Sequence, residues 1–425
     1  MAETEALRKA CERIAEVRQT EATITVVDAA GKPIPDLRVH IEQRTHRFPF
    51  GTMPLEVVQG VLRPNEVAVY DERLFSVFND VTWSFSWRYY EGVRGRPRHD
   101  LAERTLQWAG QHDATVTGHQ LIYTSLLPEW FDQTGDPAQQ AALADARVRE
   151  TVDRFRGRIP VWIVANETKN TASLTSMLRG RALFGPLPDS GVQAIADYVD
   201  PAFRRARESD PSAVLLINDE SLAGGREIPR VEAILKELKR RGTPFDAIGL
   251  QSHLKGEGRI PLDRVEANLT HLASYGRLYL TEVSVPSEPQ RPTENVFAAV
   301  PWAGWSEQTQ AGYAVALYTI AFAHPSVDGI TYWSFSDRPE RDALTARTGL
   351  LREDLSPRPA YDALRTLIRE VWWTRWDGQT ARDGRIHFRA FYGDHVLTAT
   401  LSDGREVRVP VRLTKRDESI TVTLP

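Results

Sequence analysis

Between residues 46 and 372 the chain alternates short apolar, β-branched runs with longer helix-like stretches such as "RVEAILKELKRRG" and "TQAGYAVALYTIAFAH". The runs are "FPFGTM" (48–53), "FSVFNDVTW" (75–83), "ATVTGHQLIY" (114–123), "IPVWIVANE" (159–167), "AVLLINDE" (213–220), "DAIGLQSHL" (246–254), "RLYLTEVSV" (277–285) and "GITYWSFSD" (329–337). Such βα repetition implies a parallel sheet. A set of eight parallel strands with outer helices closes into a barrel, so the expected fold class is α/β, a (β/α)8 TIM barrel. A doubly wound open sheet is the structural alternative. No glycine-rich fingerprint follows the first strand, which counts against a dinucleotide fold, and "KGEG" at 255–258 reads as a turn.

The ends of the chain follow another pattern. Residues 3–18 have the spacing of an amphipathic helix, and "ATITVVDAAGKPIPDLRVHIEQ" (22–43) reads as two strands around a Gly-Lys-Pro turn. After residue 372 come short alternating strands with Asp-Gly turns, a small antiparallel β module. At roughly fifty residues it is near the lower limit of what folds alone, and the two N-terminal strands are expected to complete it as one sandwich. The expected division is 1–45 for the N-terminal helix and strands, 46–372 for the barrel and 373–425 for the module. Trp372, Trp373 and Trp376 stand where barrel and module meet.

Composition excludes several classes. The formal net charge is −4 with 41% apolar and 26% charged residues, which builds no field for nucleic acid or an anionic membrane. The densest basic run, "LKELKRRG" at 235–242, reads as a helix end closed by Gly242, where cations suit the dipole. The one cysteine, Cys11, allows no intramolecular disulfide and no cysteine-based zinc site. The ten histidines show no metal-ligand spacing, so neither metal nor cofactor is expected. No apolar run of membrane-spanning length occurs, and the N-terminus is not a secretory signal. The protein is expected either to act inside the cell or to be secreted with a signal that this sequence lacks, and it reads as a monomer.

In a barrel the C-terminal strand ends form the active face. The third run carries His119, the fourth ends in Asn166-Glu167 and the fifth in Asn218-Asp219-Glu220. The sixth carries Gln251 and His253, the seventh Glu282, and the eighth Trp333 and Asp337. An apolar strand with a carboxylate at its top is expensive to tolerate without partners or function. Any one of these groups alone is more often a cap, a salt bridge or a satisfied core histidine. Together, Glu167 and Glu282 on the fourth and seventh strands face each other across the barrel mouth. Facing carboxylates are what glycoside hydrolysis needs, one to protonate the leaving oxygen and one to attack the anomeric carbon.

The ordered set "FNDVT", "GHQLIYTSLLPEW", "VWIVANE", "LLIND", "GLQSHL", "LYLTEVSV", "ITYWSFSD" and "LSPRPAYDAL" resembles glycoside hydrolase family 10, the xylanase family, over roughly residues 46–372. The resemblance implies a retaining β-glycoside hydrolase of endo-1,4-β-xylanase type. It implies Glu167 as acid/base and Glu282 as nucleophile. It implies Asn166 on the 2-hydroxyl of the sugar being cleaved, and His253 on the nucleophile with Gln251 near it. His119 then belongs to the sugar-binding wall and Trp333 to the floor under the reacting sugar. The implied partner is a carbohydrate, β-1,4-xylan or another β-linked glycan.

The pattern departs from the family in one region. After "FNDVT" the family continues with a Pro-Glu-Asn-x-x-Lys-Trp segment that grips the non-reducing side. Here the chain reads "TWSFSWRYYEG", with Ser84, Phe85 and Arg88 in those places. The usual Trp-His after the third strand is Tyr123-Thr124, and Leu127 replaces a glutamine. A second tryptophan expected after the eighth strand is absent, and Arg341 is offered in its stead. Tyr123 and Arg88 are therefore expected at the sugar site, Arg88 with either a substrate's acidic substituent or a surface salt bridge. Trp302 and Trp305, on the long stretch 287–308, either stack on sugar or pack under their own loop. The rebuilt clamp leaves open a decorated xylan, another β-glycan, a small glycoside, or a barrel that only binds carbohydrate.

Overall fold

The computed structural model describes residues 2–132, 137–168, 189–254, 258–289, 303–338 and 347–425. Helix α1 (Ala2–Arg18) buries Ala6, Ala10 and Ile14, a stripe at four-residue spacing. The stripe lies against the helices Leu262–Leu272 and Glu307–Ala323. The second of these is apolar nearly all round, as a helix covered on both sides must be. Arg18 then caps it: the guanidinium donates to the carbonyls of Phe322, His324 and Val327 at 2.5, 3.0 and 2.6 Å. Carbonyls at a helix C-terminus have no partner within the helix, so this contact satisfies groups otherwise left bare.

Strands β1 (Gln19–Val27) and β2 (Arg38–His46) precede the barrel. The barrel strands are β3 (Phe50–Thr52), β4 (Asp80–Ser84), β5 (Thr115–Ile122), β6 (Val161–Asn166), β7 (Val214–Asp219), β8 (Ala247–His253), β9 (Arg277–Ser284) and β10 (Val327–Tyr332). They pair in sequence order, all parallel, and β10 closes on β3. The fold is a (β/α)8 barrel. The apolar run at 75–83 is strand only from Asp80: Phe75 ends a helix, and Val77 and Phe78 are buried in the turn between. Asn79 fixes that turn, accepting from Phe50 N at 2.8 Å and donating to His46 O at 2.8 Å. A buried turn and a buried strand leave the same apolar signature in sequence. Inside the barrel wall Trp162 occupies the space beside Gly118, where a Cβ would come within 2.2 Å of the indole.

Beyond the barrel come β11 (Arg375–Gln379), β12 (Arg385–Phe391), β13 (Gly393–Thr400), β14 (Glu406–Leu413) and β15 (Ser419–Thr423). One sheet has the order β12-β1-β15 and the other β11-β2-β13-β14, with Ile24, Ile41, Phe388 and Leu397 in the shared core. The Gly-Lys-Pro turn therefore carries the chain from one sheet to the other and closes no hairpin. The module is also not wholly antiparallel, since β15 runs parallel to β1. A parallel neighbour needs a long connection, and here nearly the whole chain separates the two strands. Trp372 stacks on Phe322 at 4.4 Å and Trp373 lies edge-on to His46, the last residue of β2, at 5.4 Å, so the pair stands where barrel and module meet. Trp376 instead packs on Phe388 inside the sandwich.

Candidate active site

β6 is buried along its whole length and ends in Asn166. The next residue, Glu167, has φ +48°, a left-handed conformation that costs a non-glycine residue roughly 1–2 kcal/mol. The turn swings the carboxylate out of the strand, and its amide donates to Asn218 O at 2.9 Å. What holds the turn lies directly after it. Thr168 donates to Asp219 Oδ2 through N at 3.1 Å and through Oγ1 at 2.5 Å. Asp219 accepts from Arg230 Nη2 at 3.0 Å, and Arg230 Nε donates to Glu227 Oε2 at 2.9 Å. The side chains of Asp219 and Arg230 are each 1% exposed. Charges so deep persist only when paired and hydrogen-bonded, and the network locks the backbone beneath Glu167.

Glu282 lies within β9 and is buried. Oε2 is 3.0 Å from His253 Nε2, whose Nδ1 is 2.8 Å from Ser284 Oγ. Oε1 accepts from Asn218 Nδ2 at 2.9 Å. Burial pushes the Glu282 carboxyl up, but the hydrogen bond from His253, the nearby histidine charges and the Asn218 amide outweigh it, so it lies below the ordinary carboxylate range. His119 Nδ1 is 4.0 Å from Oε1. Burial pushes His119 itself down, against the pull of the Glu282 charge.

The two carboxylates belong to one hydrogen-bonded chain. Asn218 Nδ2 also donates to Asn166 Oδ1 at 2.7 Å, and its Oδ1 accepts from Thr281 Oγ1 at 2.5 Å. Gln251 Nε2 is 3.3 Å from both Asn166 Oδ1 and Glu167 Oε1. Tyr123 Oη donates to Glu167 Oε2 at 2.7 Å. Trp333 stands partly exposed, its ring tilted against His119 with centroids 5.1 Å apart. Glu167, Glu282, Asn166, His119, Gln251, His253, Tyr123 and Trp333 thus share one face of the barrel.

The other expected site residues lie elsewhere or take another form. Arg88 is exposed and its Nε donates to the Leu127 carbonyl at 3.1 Å, a backbone contact and not a salt bridge. Trp305 is 1% exposed and packs edge-on against Tyr313, so it offers no ring face to a sugar. Phe85 is fully buried between Tyr90, Phe155 and Trp162. Trp302, Arg341 and most of the stretch 168–191 lie outside the described residues. Sequence reasoning named Asn218 and Asp219 at a strand end without a role, and missed Arg230 altogether. The signal was the adjacent polar triplet after an apolar run, and only the fold shows which member faces which neighbour. Among the described residues, no group of three or more His, Cys, Asp or Glu side chains could hold a metal, and no helix is long and apolar enough to cross a membrane.

The family described as "Glycosyl hydrolase family 10" matches residues 52–367. The chain belongs to this family. Among its relatives, endo-1,4-beta-xylanase B of Thermotoga neapolitana is 26% identical over 67% of this chain and 78% of that protein. A longer match runs to the anti-sigma-I factor RsgI6 of Acetivibrio thermocellus, 27% identical over 98% of this chain. The chain spans about half (49%) of that protein. Of solved structures, xylanase 10B from Thermotoga petrophila in complex with xylobiose superposes with a TM-score of 0.59 at 22% identity, covering 86% of this chain and 97% of that one. The family-10 structure from Paenibacillus barcinonensis gives 0.59 at 25% identity, over 76% and 95%.

Proposed function

We propose that the protein cleaves β-1,4-xylan or a closely related β-linked glycan by double displacement, with retention. One observation carries the reading. Glu282 is a buried carboxylate held ionised between His253 at 3.0 Å and Asn218 at 2.9 Å, in one hydrogen-bonded chain with Glu167. In the first step a Glu282 oxygen bonds to the anomeric carbon while the glycosidic bond breaks, and the leaving oxygen takes the proton of Glu167. In the second, water gives its proton to Glu167 and its oxygen to the anomeric carbon, and the bond to Glu282 breaks. Asn166 supports the 2-hydroxyl and Trp333 the ring of the reacting sugar. The names of the xylanase relatives support xylan, and the rebuilt strand-two segment supports a decorated or otherwise altered chain.

The test is product release from plain and decorated xylans, β-glucans and aryl β-glycosides, with Glu282→Ala alongside. Release that vanishes in the variant, and a β-configured first product by NMR, are expected; an α-configured product would exclude retention. A second reading has one observation behind it. The match to the anti-sigma-I factor runs through the β module, whereas the xylanase B match covers two-thirds of the chain. A barrel that only binds glycan would show calorimetric binding with no turnover of any substrate.

A further inference from the structure

We propose that Tyr123 is the positioning residue of the acid/base: its hydroxyl holds one oxygen of Glu167 and sets the pH at which that carboxyl surrenders its proton. The proposal rests on the reading of Glu167 as acid/base, and it assigns to Tyr123 a role other than gripping sugar.

The placement comes from the strand register. β5 and β6 pair His119 with Ile163 and then, after a one-residue shift, Ile122 with Ala165. The extra residue in β5 brings Tyr123 level with Asn166 and beside Glu167. The ring is half-buried, and its Oη meets Glu167 Oε2 at 2.7 Å. The other oxygen, Oε1, faces the Gln251 amide at 3.3 Å, and that amide is shared with Asn166. The two oxygens are therefore unequal. Oε2 accepts a short O–H bond and Oε1 a longer amide contact, so a proton on Oε1 gives up the weaker of these two bonds.

A phenol suits this task. Burial, then the charge of Glu167, pushes the Tyr123 hydroxyl well above its ordinary range, so it stays a donor throughout the working pH. A donor to a carboxylate stabilises the ionised form. The bond therefore helps Glu167 act as base in the second step and brings forward, as pH rises, the loss of the proton needed in the first. The tryptophan of the family pattern has no hydroxyl to place there.

Removing the hydroxyl should move both readings upward. In Tyr123→Phe, the alkaline limb of kcat/KM on a xylo-oligosaccharide shifts up by about one pH unit, the scale of one hydrogen bond to a carboxylate. KM is little changed. On the acid side of the Glu167 titration, rates limited by the second step, on an activated aryl xylobioside, fall by about tenfold, the loss of ionised base that a one-unit shift brings. The same shift appears without any substrate in the Glu167 carboxyl resonance of 13C-glutamate-labelled protein, identified by its absence in Glu167→Gln. Tyr123→Leu provides the same comparison if the Phe variant folds poorly. Unmoved limbs and an unmoved resonance overturn the proposal, and the acid/base reading survives if Glu167→Gln still slows poor leaving groups more than activated ones. If Glu167→Gln treats all leaving groups alike, the acid/base reading and this proposal fall together.

Discussion

Asn218 is, after His253 and the histidine attraction, one of the donors that keep Glu282 ionised, and its isosteric change to aspartate, which turns that donor into a like charge, should narrow the pH window sharply. In the native site both Nδ2 protons are committed, to Asn166 Oδ1 at 2.7 Å and Glu282 Oε1 at 2.9 Å, while Oδ1 takes the Thr281 proton at 2.5 Å. Asn218→Asp keeps the shape and replaces two donors by lone pairs, one of them 2.9 Å from the carboxylate. At an effective dielectric of about 20, like charges at that distance repel by roughly 6 kcal/mol, an upper limit near four pH units. Close carboxylate pairs separate their two titrations by about three units, and the proton then belongs to the pair. The acid limb of kcat/KM should therefore rise by about three units in Asn218→Asp. In Asn218→Ala, which loses a single charge-assisted bond of roughly 1.5–3 kcal/mol, it should rise by one to two. The assay is kcat/KM between pH 3 and 8 on an aryl glycoside the wild type turns over, with circular dichroism as a check on folding. Acid limbs that coincide in all three proteins would refute the argument, because Glu282 would then owe nothing to Asn218 or would not be the group titrating.

Three further outcomes test other parts of the molecule. Burial raises Asp80 from 3.8 to about 6 despite donors at Thr115 and Thr117; between those values the folded state binds more protons, so stability falls as pH rises. Asp80→Asn should gain on the order of 3 kcal/mol relative to wild type on going from pH 4 to pH 7 in urea unfolding, and an equal effect at both values would contradict the assignment. Arg230→Met leaves Asp219 and Glu227 buried without their cation, so it should cost about 3–5 kcal/mol in the same assay and lower kcat through Thr168 and Glu167. Trp305→Ala should cost about 3–5 kcal/mol of stability with KM unchanged, whereas Trp333→Ala should raise KM with little loss of stability; thermal melts and kinetics on both variants separate packing from sugar contact.

The barrel was legible because burial on both faces forces its strands into continuous apolar runs, and the helices between them forbid antiparallel pairing. Glu167 and Glu282 were legible for the complementary reason, as charges set at the end of one such run and inside another. What pattern alone missed has one cause. Asn218 and Arg230 act through neighbours on other elements, 52–64 residues away in the case of Asn218 with Asn166 and Glu282 and 62 for Arg230 with Thr168. Sequence spacing carries no trace of such contacts. Sequence leaves Trp305 between stacking on sugar and packing under its own loop, and the fold buries it with Tyr313 against it.

The departures from the family pattern are coupled in space. Trp87, from the rewritten strand-two segment, packs with Phe131 and with Leu127, the residue standing in place of a glutamine. Beneath them lies Arg147, buried, with its guanidinium 5.1 Å from the Trp87 ring and 5.5 Å from Tyr90. It donates to the backbone carbonyls of Phe85 and Leu121, the latter at 3.1 Å. A polar glycone clamp on one strand and a glutamine on the next would each have needed partners in this space. Their joint replacement gives an apolar cluster around one cation whose Nε and Nη2 donate to backbone carbonyls, so these donors need no ligand. If this wall flanks the non-reducing side, as the family pattern implies, sugar hydroxyls there would meet fewer groups that need them. Among the described residues, the polar side chains on this face include Asn166, Gln251, His119 and the Tyr123–Glu167 pair, and on the proposed function these are the groups left to discriminate among β-glycans.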